Sequence, residues 1–140
     1  MIRRNVRHLN AGDIGPLLRS YADDATLVYP GRHSWAGVHR GKDGIERFLR
    51  RFAGVGLRGE THEILVNGPP WNLTVCVRFT DEAIAADGTV VYANRAVLFG
   101  KIAWGKIAYQ EDYVDTQKVA EFDEYLATHE PPVREEPGTR

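Results

Sequence analysis

The hydrophobic periodicity of this 140-residue chain changes near Leu57, and this change restricts the fold more than any other feature. Before it, the apolar side chains of Ile45, Phe48, Leu49 and Phe52 recur at helical spacing, and Asp43 is placed to begin that helix. After it, the spacing is that of strands. Four strands are predicted there, separated by Gly-Pro-Pro, Asp-Gly and Trp-Gly turns: 61–67, 71–85, 89–102 and 106–114. Helices followed by a strand meander predict an α+β fold.

The segments on either side of this region complete the prediction. A helix is predicted over Arg3–Leu9. A second helix, capped by Asp13, has an apolar face that runs from Ile14 to Tyr21 and is expected to stop at the Asp23-Asp24 pair. Ala25–Tyr29 then reads as a strand, followed by a loop up to Arg40. A last helix is capped by Asp115 or Thr116. Residues 1–130 are predicted to form one domain, and residues 131–140 a disordered tail.

Composition narrows the classes of function. Eighteen Lys and Arg nearly cancel nineteen Asp and Glu, so we expect neither nucleic acid nor a membrane surface as a partner. The lone cysteine, Cys76, and the absence of a signal-like or membrane-spanning apolar stretch favour a cytoplasmic protein. The five histidines are dispersed without metal-ligand spacing, so no metal and no cofactor is expected.

Four segments in order, LNAGD, YADDATLVYP, WAGVHRGKDGIERFL and WGKIAYQEDYVD, resemble the SnoaL-like branch of the nuclear transport factor 2 superfamily, from Leu9 to Leu126. The resemblance implies a cone-shaped α+β barrel, with a strongly curved, mostly antiparallel sheet and N-terminal helices closing an apolar pocket. It also implies a homodimer formed through the sheet and a small hydrophobic molecule as ligand. The superfamily includes isomerases, cyclases, epoxide hydrolases and non-catalytic binders, so the residues must decide the reaction.

The ketosteroid isomerase mechanism is not predicted. In those enzymes the ADDAT segment leads to a catalytic aspartate, and here Tyr29 stands at that position. A tyrosine with an ordinary pKa of about 10 is a poor base at neutral pH. The second family aspartate falls near Val97, which cannot donate a proton.

A partial resemblance to limonene epoxide hydrolases supplies the catalytic candidates. Asp112 matches one aspartate of that set and Arg78 matches its arginine, but Thr80 stands where the other aspartate is expected. Asp81, next to Thr80, is expected to point to the opposite face of the strand. Asp112 with Arg78 is therefore one hypothesis for acid-base catalysis, and a purely structural ion pair is the alternative.

Strand alternation extends the candidate site. If Asp112 faces the pocket, Gln110 and Val114 face it too, whereas Tyr109, Glu111 and Tyr113 face outward. Asn94 is a polar residue in an apolar strand and requires a hydrogen-bond partner or a ligand. The remaining predicted substrate contacts are aromatic: Tyr29, Trp35 and Trp71. Two functions stay open, a cofactor-free acid-base enzyme (cyclase, epoxide hydrolase or isomerase-like) and a non-catalytic ligand-binding or dimeric interaction domain.

Overall fold

Four helices and six strands make up the computed structural model, which describes residues 1–129 and 131. The helices are α1 (Ile2–Asn10), α2 (Gly15–Ser20), α3 (Gly41–Gly54) and α4 (Thr116–Thr128). The strands are β1 (Tyr21–Tyr29), β2 (Gly37–Arg40), β3 (Arg58–Asn67), β4 (Leu73–Ile84), β5 (Val90–Ala103) and β6 (Lys106–Val114). The predicted disordered tail, apart from Pro131, lies outside the described residues.

All six strands belong to one sheet in the order β2-β1-β6-β5-β4-β3. The strands β3 to β6 form the predicted antiparallel meander, and β1 joins it by pairing parallel to β6. Within the described residues β2 and β3 are the two edges, so the curved sheet does not close on itself and helices complete the cone. The predicted α+β cone is confirmed, with an open sheet in place of a closed barrel.

Two local predictions near the N-terminus were wrong. The helix expected to reach Tyr21 ends at Ser20, and Asp23 and Asp24 lie within β1. Tyr21 already pairs with Ile107 of β6 and is 1% exposed, so tertiary pairing overrides the local helical pattern. The loop expected before Arg40 contains β2, an edge strand of four residues. A strand this short carries too little alternation to be predicted.

The helix boundaries follow their sequence signals elsewhere. Asp43 lies in the first turn of α3, and the buried side chains of Ile45, Phe48 and Leu49 turn one face of that helix toward the sheet. Asp115 caps α4, as predicted, by accepting hydrogen bonds from the backbone amides of Gln117 (3.1 Å) and Lys118 (3.4 Å). None of the described helices is long and apolar enough to cross a membrane.

Helix α1 is fixed across the concave face of the sheet by polar contacts to β3 and to α2. Asn10 makes two hydrogen bonds of 2.8 Å with the backbone of Gly59, one as donor and one as acceptor. Arg3 donates to the carbonyl of Thr61, and Asn5 donates to the Ser20 hydroxyl at 2.7 Å. These contacts hold the apolar side of α1 over the sheet.

The outer face of the sheet carries partly exposed apolar side chains, among them Leu65, Val97 and Tyr113. Arg78 lies in the same row, paired with Glu63 of β3 and Val97 of β5. The homodimer expected through this face stays a prediction.

Candidate functional site

An apolar cavity of about 130 Å³ lies between α1, α3 and the concave face of the sheet. Its wall alternates along each strand, as the pleat requires. On β4 the odd-numbered residues from Val75 to Asp81 face inward, and on β5 the even-numbered residues from Ala96 to Ile102 do so. From α1, Ile2, Val6 and Leu9 complete the apolar lining.

Asp112 is the buried acid that the sequence predicted, and it faces this cavity. Its side chain is 7% exposed, and Gln110 and Val114 face the cavity beside it, as the strand parity predicts. Asp112 pairs with Leu98 of β5, while Glu111 lies on the opposite face, paired with Phe99. The neighbouring strand β1 contributes Leu27 and Tyr29 to the same wall.

A hydrogen-bonded chain orients Asp112. The Tyr21 hydroxyl donates to Oε1 of Gln110, which directs the Gln110 amide nitrogen toward Asp112. That nitrogen donates to Oδ1 of Asp112 at 2.9 Å. A donated hydrogen bond favours the ionised carboxylate, but burial in apolar surroundings disfavours it more strongly. The balance raises the pKa of Asp112 from its ordinary value of 3.8 to about 7.

Asp81 is a second buried acid in the same cavity, and sequence reasoning missed it. Its side chain is 7% exposed and lies on the inner face of β4, opposite Asn94 of β5. Burial, and then the negative charge of Asp112, raise the pKa of Asp81 to about 7. The missed signal was parity: Asp81 is three residues from Arg78, so only one of the two can face the cavity.

The Arg78 prediction was therefore wrong. Arg78 is an exposed residue on the outer face of β4, with the sheet between it and Asp112. The expected Arg78–Asp112 pair does not form. Asp112 instead accepts a hydrogen bond from Gln110 of β6, and Asp81 is the ionisable group near it. The resemblance to epoxide hydrolases had placed Arg78 inward, which also assigned Asp81 to the wrong face.

Tyr29 and the buried Tyr21 both line the cavity that holds the two acids. Burial, then the nearby Tyr92, Asp81 and Asp112, raise the pKa of Tyr29 above its ordinary value. Burial, and then the charge of Asp112, also raise the pKa of Tyr21. Both phenols stay neutral at physiological pH, so they can donate hydrogen bonds but cannot serve as bases.

Three further predicted contacts lie away from the cavity. Trp71 is 58% exposed in the turn before β4, where its ring lies 5.9 Å from that of Trp104. Trp35 is packed in the core against Phe122, with parallel rings at 6.1 Å. Asn94 is satisfied structurally, because its amide nitrogen donates to the Tyr92 hydroxyl (2.9 Å) and to the Asp115 carbonyl (3.0 Å).

A second, polar cleft begins where the apolar cavity ends. Asp81 and Asn94 lie at its floor. Charged side chains surround it: Arg58, Glu60, Glu82, Arg95 and Lys118. Because Asp81 lines both spaces, it marks the boundary between the apolar cavity and a charged cleft at the surface. In residues 1–129 and 131, no group of three or more His, Cys, Asp or Glu is arranged to hold a metal ion.

This cone of helices and curved sheet is shared by solved NTF2-like structures. An NTF2-like protein of unknown function from Burkholderia pseudomallei superposes with a TM-score of 0.72 at 18% identity, covering 87% of this chain and 93% of the other. Bal32a, from a soil-derived mobile gene cassette, gives 0.69 at 20% identity with 87% and 92% covered. TerC, co-crystallized with polyporic acid, gives 0.67 at 24% identity with 88% and 95% covered.

The sequence itself identifies the family. The model of the SnoaL-like domain matches residues 2–110, and the chain belongs to that family. No functionally curated protein matches the chain. Because the structural neighbours are under 25% identical, they show the fold, and the chemistry has to be argued from the cavity.

Proposed function

We propose that the protein is a cofactor-independent acid-base catalyst that acts on a small apolar molecule, with Asp112 exchanging a proton with the substrate. One observation carries the proposal: a buried carboxyl group, oriented by the Tyr21–Gln110 chain, faces an apolar cavity. An acid or base is most effective when its pKa lies near the working pH, and the pKa of Asp112 is raised to about 7.

The surroundings of Asp112 support a role as proton acceptor. Apolar walls exclude water from an ionised carboxylate, which makes it a stronger base than the same group in solution. The neutral Tyr29 lies on the adjacent strand and adds an aromatic ring to the wall of the same cavity. Candidate substrates are apolar carbonyl compounds, epoxides and polyketide-like molecules.

The proposal is tested with 5-nitrobenzisoxazole, a small aromatic probe that reports proton abstraction by its coloured product. The Asp112 carboxylate would take the C3 proton, the C–H electron pair would form the nitrile, and the N–O bond would break to release a phenolate. The rate is expected to rise with pH, with a midpoint near 7, because only the ionised carboxylate accepts a proton.

Gly100 offers a matched test of location. It lies in the cavity wall, and a Cβ there would meet no atom closer than 3.5 Å. Gly100→Leu is therefore expected to fold and fill the cavity, reducing the rate at least tenfold, whereas Gly100→Ala keeps most of it. A wild-type protein that binds the probe without any rate above background would favour the non-catalytic binding function instead.

A further inference from the structure

Asp81 has an unusual position, because it lines both the apolar cavity and the charged cleft. It lies two strands away from Asp112. Gln110 donates a side-chain hydrogen bond to Asp112, and no described side-chain amide does so to Asp81. On the cavity side its neighbours are Phe79 and Asn94, and the Asn94 amide nitrogen is already used by Tyr92 and Asp115.

One oxygen of Asp81 lacks a partner. Oδ1 of Asp81 is fully buried and has no hydrogen-bond partner within the described residues. The residue as a whole is 7% exposed. Burying a polar atom without a partner costs free energy, and proteins rarely leave one so without a reason. A ligand that enters the cavity can supply the missing partner.

The charges near Asp81 decide which kind of partner it needs. When Asp112 ionises, its negative charge raises the pKa of Asp81 further, in addition to the effect of burial. Both carboxyl groups are therefore protonated well below pH 7, and the second of the two ionises against the charge of the first. A protonated carboxyl group is a hydrogen-bond donor, so the complementary ligand group is an acceptor.

The size of the cavity limits the rest of the ligand. A volume of about 130 Å³ is close to that of an engineered apolar cavity of roughly 150 Å³ that binds benzene. We infer that Asp81 binds a hydrogen-bond-accepting oxygen, such as a ketone oxygen, of a ligand whose apolar body is about one ring in size. This inference rests on the proposed function only in taking the cavity as the ligand site.

Cyclohexanone and methylenecyclohexane form the test pair, because they differ only in C=O against C=CH₂. Binding to the wild-type protein is measured by ligand-observed NMR at pH 5.5 and 8.5. The ratio of ketone affinity to hydrocarbon affinity is expected to be roughly tenfold higher at pH 5.5 than at pH 8.5, the value of one hydrogen bond to a neutral donor. This gain, called the ketone preference, is absent at pH 8.5, since ionised Asp81 cannot donate.

The tyrosines that face Asp81 do not titrate between pH 5.5 and pH 8.5. Tyr29 and Tyr92 stay neutral throughout, because burial raises the pKa of each above its ordinary value. Asp112 is tested separately by substitution. The charged residues of the cleft on β3, β4, β5 and α4 are Arg58, Glu60, Glu82, Arg95 and Lys118.

Variants separate Asp81 from Asp112. Asp81→Leu is expected to abolish the ketone preference at pH 5.5 while it still binds the hydrocarbon, which shows that the cavity is intact. Asp112→Asn keeps the preference. If Asp81→Leu also keeps it, or if the wild-type affinity ratio is the same at pH 5.5 and pH 8.5, the Asp81 inference is overturned and the proposed catalysis is unaffected. If neither probe binds wild-type protein, both proposals fail.

Discussion

Asp112→Asn is expected to lower the rate of proton abstraction from 5-nitrobenzisoxazole at pH 8.5 by at least about 100-fold, the usual contribution of a positioned general base. Asparagine keeps the shape of the side chain, and its carbonyl oxygen can still accept the 2.9 Å hydrogen bond from Gln110. Only the ability to accept a proton is lost. The measurement is kcat/KM, followed by absorbance of the phenolate product.

Glu111→Gln is the matched control for this substitution. Glu111 is the adjacent residue on the same strand but lies on the outer face, where it accepts a hydrogen bond of 2.7 Å from the Tyr109 hydroxyl. It undergoes the same chemical change without altering the cavity, so its kcat/KM should equal that of the wild type. An Asp112→Asn protein as active as the control would remove Asp112 from the reaction.

Asp112→Asn is also expected to stabilise the fold at high pH. The pKa of Asp112 is about 7 in the folded state and 3.8 in an unfolded chain, so the folded state binds more protons between these values. The contribution of Asp112 to stability is therefore fully present below about pH 4 and is lost as pH rises through 7. The full difference corresponds to about 4 kcal/mol of unfolding free energy lost by pH 8.5.

Urea denaturation at pH 4.5 and pH 8.5 measures this effect. Asp112→Asn should exceed the wild type by about 2–4 kcal/mol at pH 8.5, with a gap that narrows markedly at pH 4.5. Asp81→Asn should behave similarly, but the double variant should gain less than the sum, because each charge affects the other. A wild type whose advantage over Asp112→Asn grows with pH would contradict a raised pKa.

Both effects have one physical origin. A carboxyl group that is useful as a base near neutral pH must be kept from water, and the same burial makes its charged form destabilising. Under the proposed function, the burial that makes Asp112 reactive therefore also lowers the stability of the fold at high pH.

Local patterns predicted most of the fold because the strands after Leu57 are neighbours in the chain. The limits of β6, Lys106–Val114, were predicted from the strand pattern. Alternation placed Gln110, Asp112 and Val114 on one face of that strand, and the structure shows that this face lines the cavity. The parallel pairing of β1 with β6 joins residues about 80 positions apart and leaves no local signal. The strand β2, which pairs with the nearby β1, was missed for another reason, because its four residues carry too little alternation.

The site was harder to predict than the strand that carries it. Asp112 was a candidate because it matches a family motif, and alternation grouped it with Gln110 and Val114. Asp81 was lost because matching Arg78 to a motif fixed the parity of β4 the wrong way round, although Val75, Val77 and Phe79 form an apolar row that continues to Asp81. Trp35 and Trp71 show that aromatic character does not distinguish a cavity wall from a packed core or an exposed turn.

The most direct test of this account is the pKa of Asp112 itself. Protein labelled with ¹³C in its aspartate carboxyl groups can be titrated by NMR, with the Asp112 signal assigned by its absence in Asp112→Asn. A midpoint near pH 7, together with a second raised midpoint that disappears in Asp81→Asn, is the predicted result. An Asp112 signal that titrates at about 4, like an aspartate in water, would contradict the central claim that a buried proton-exchanging acid faces the cavity.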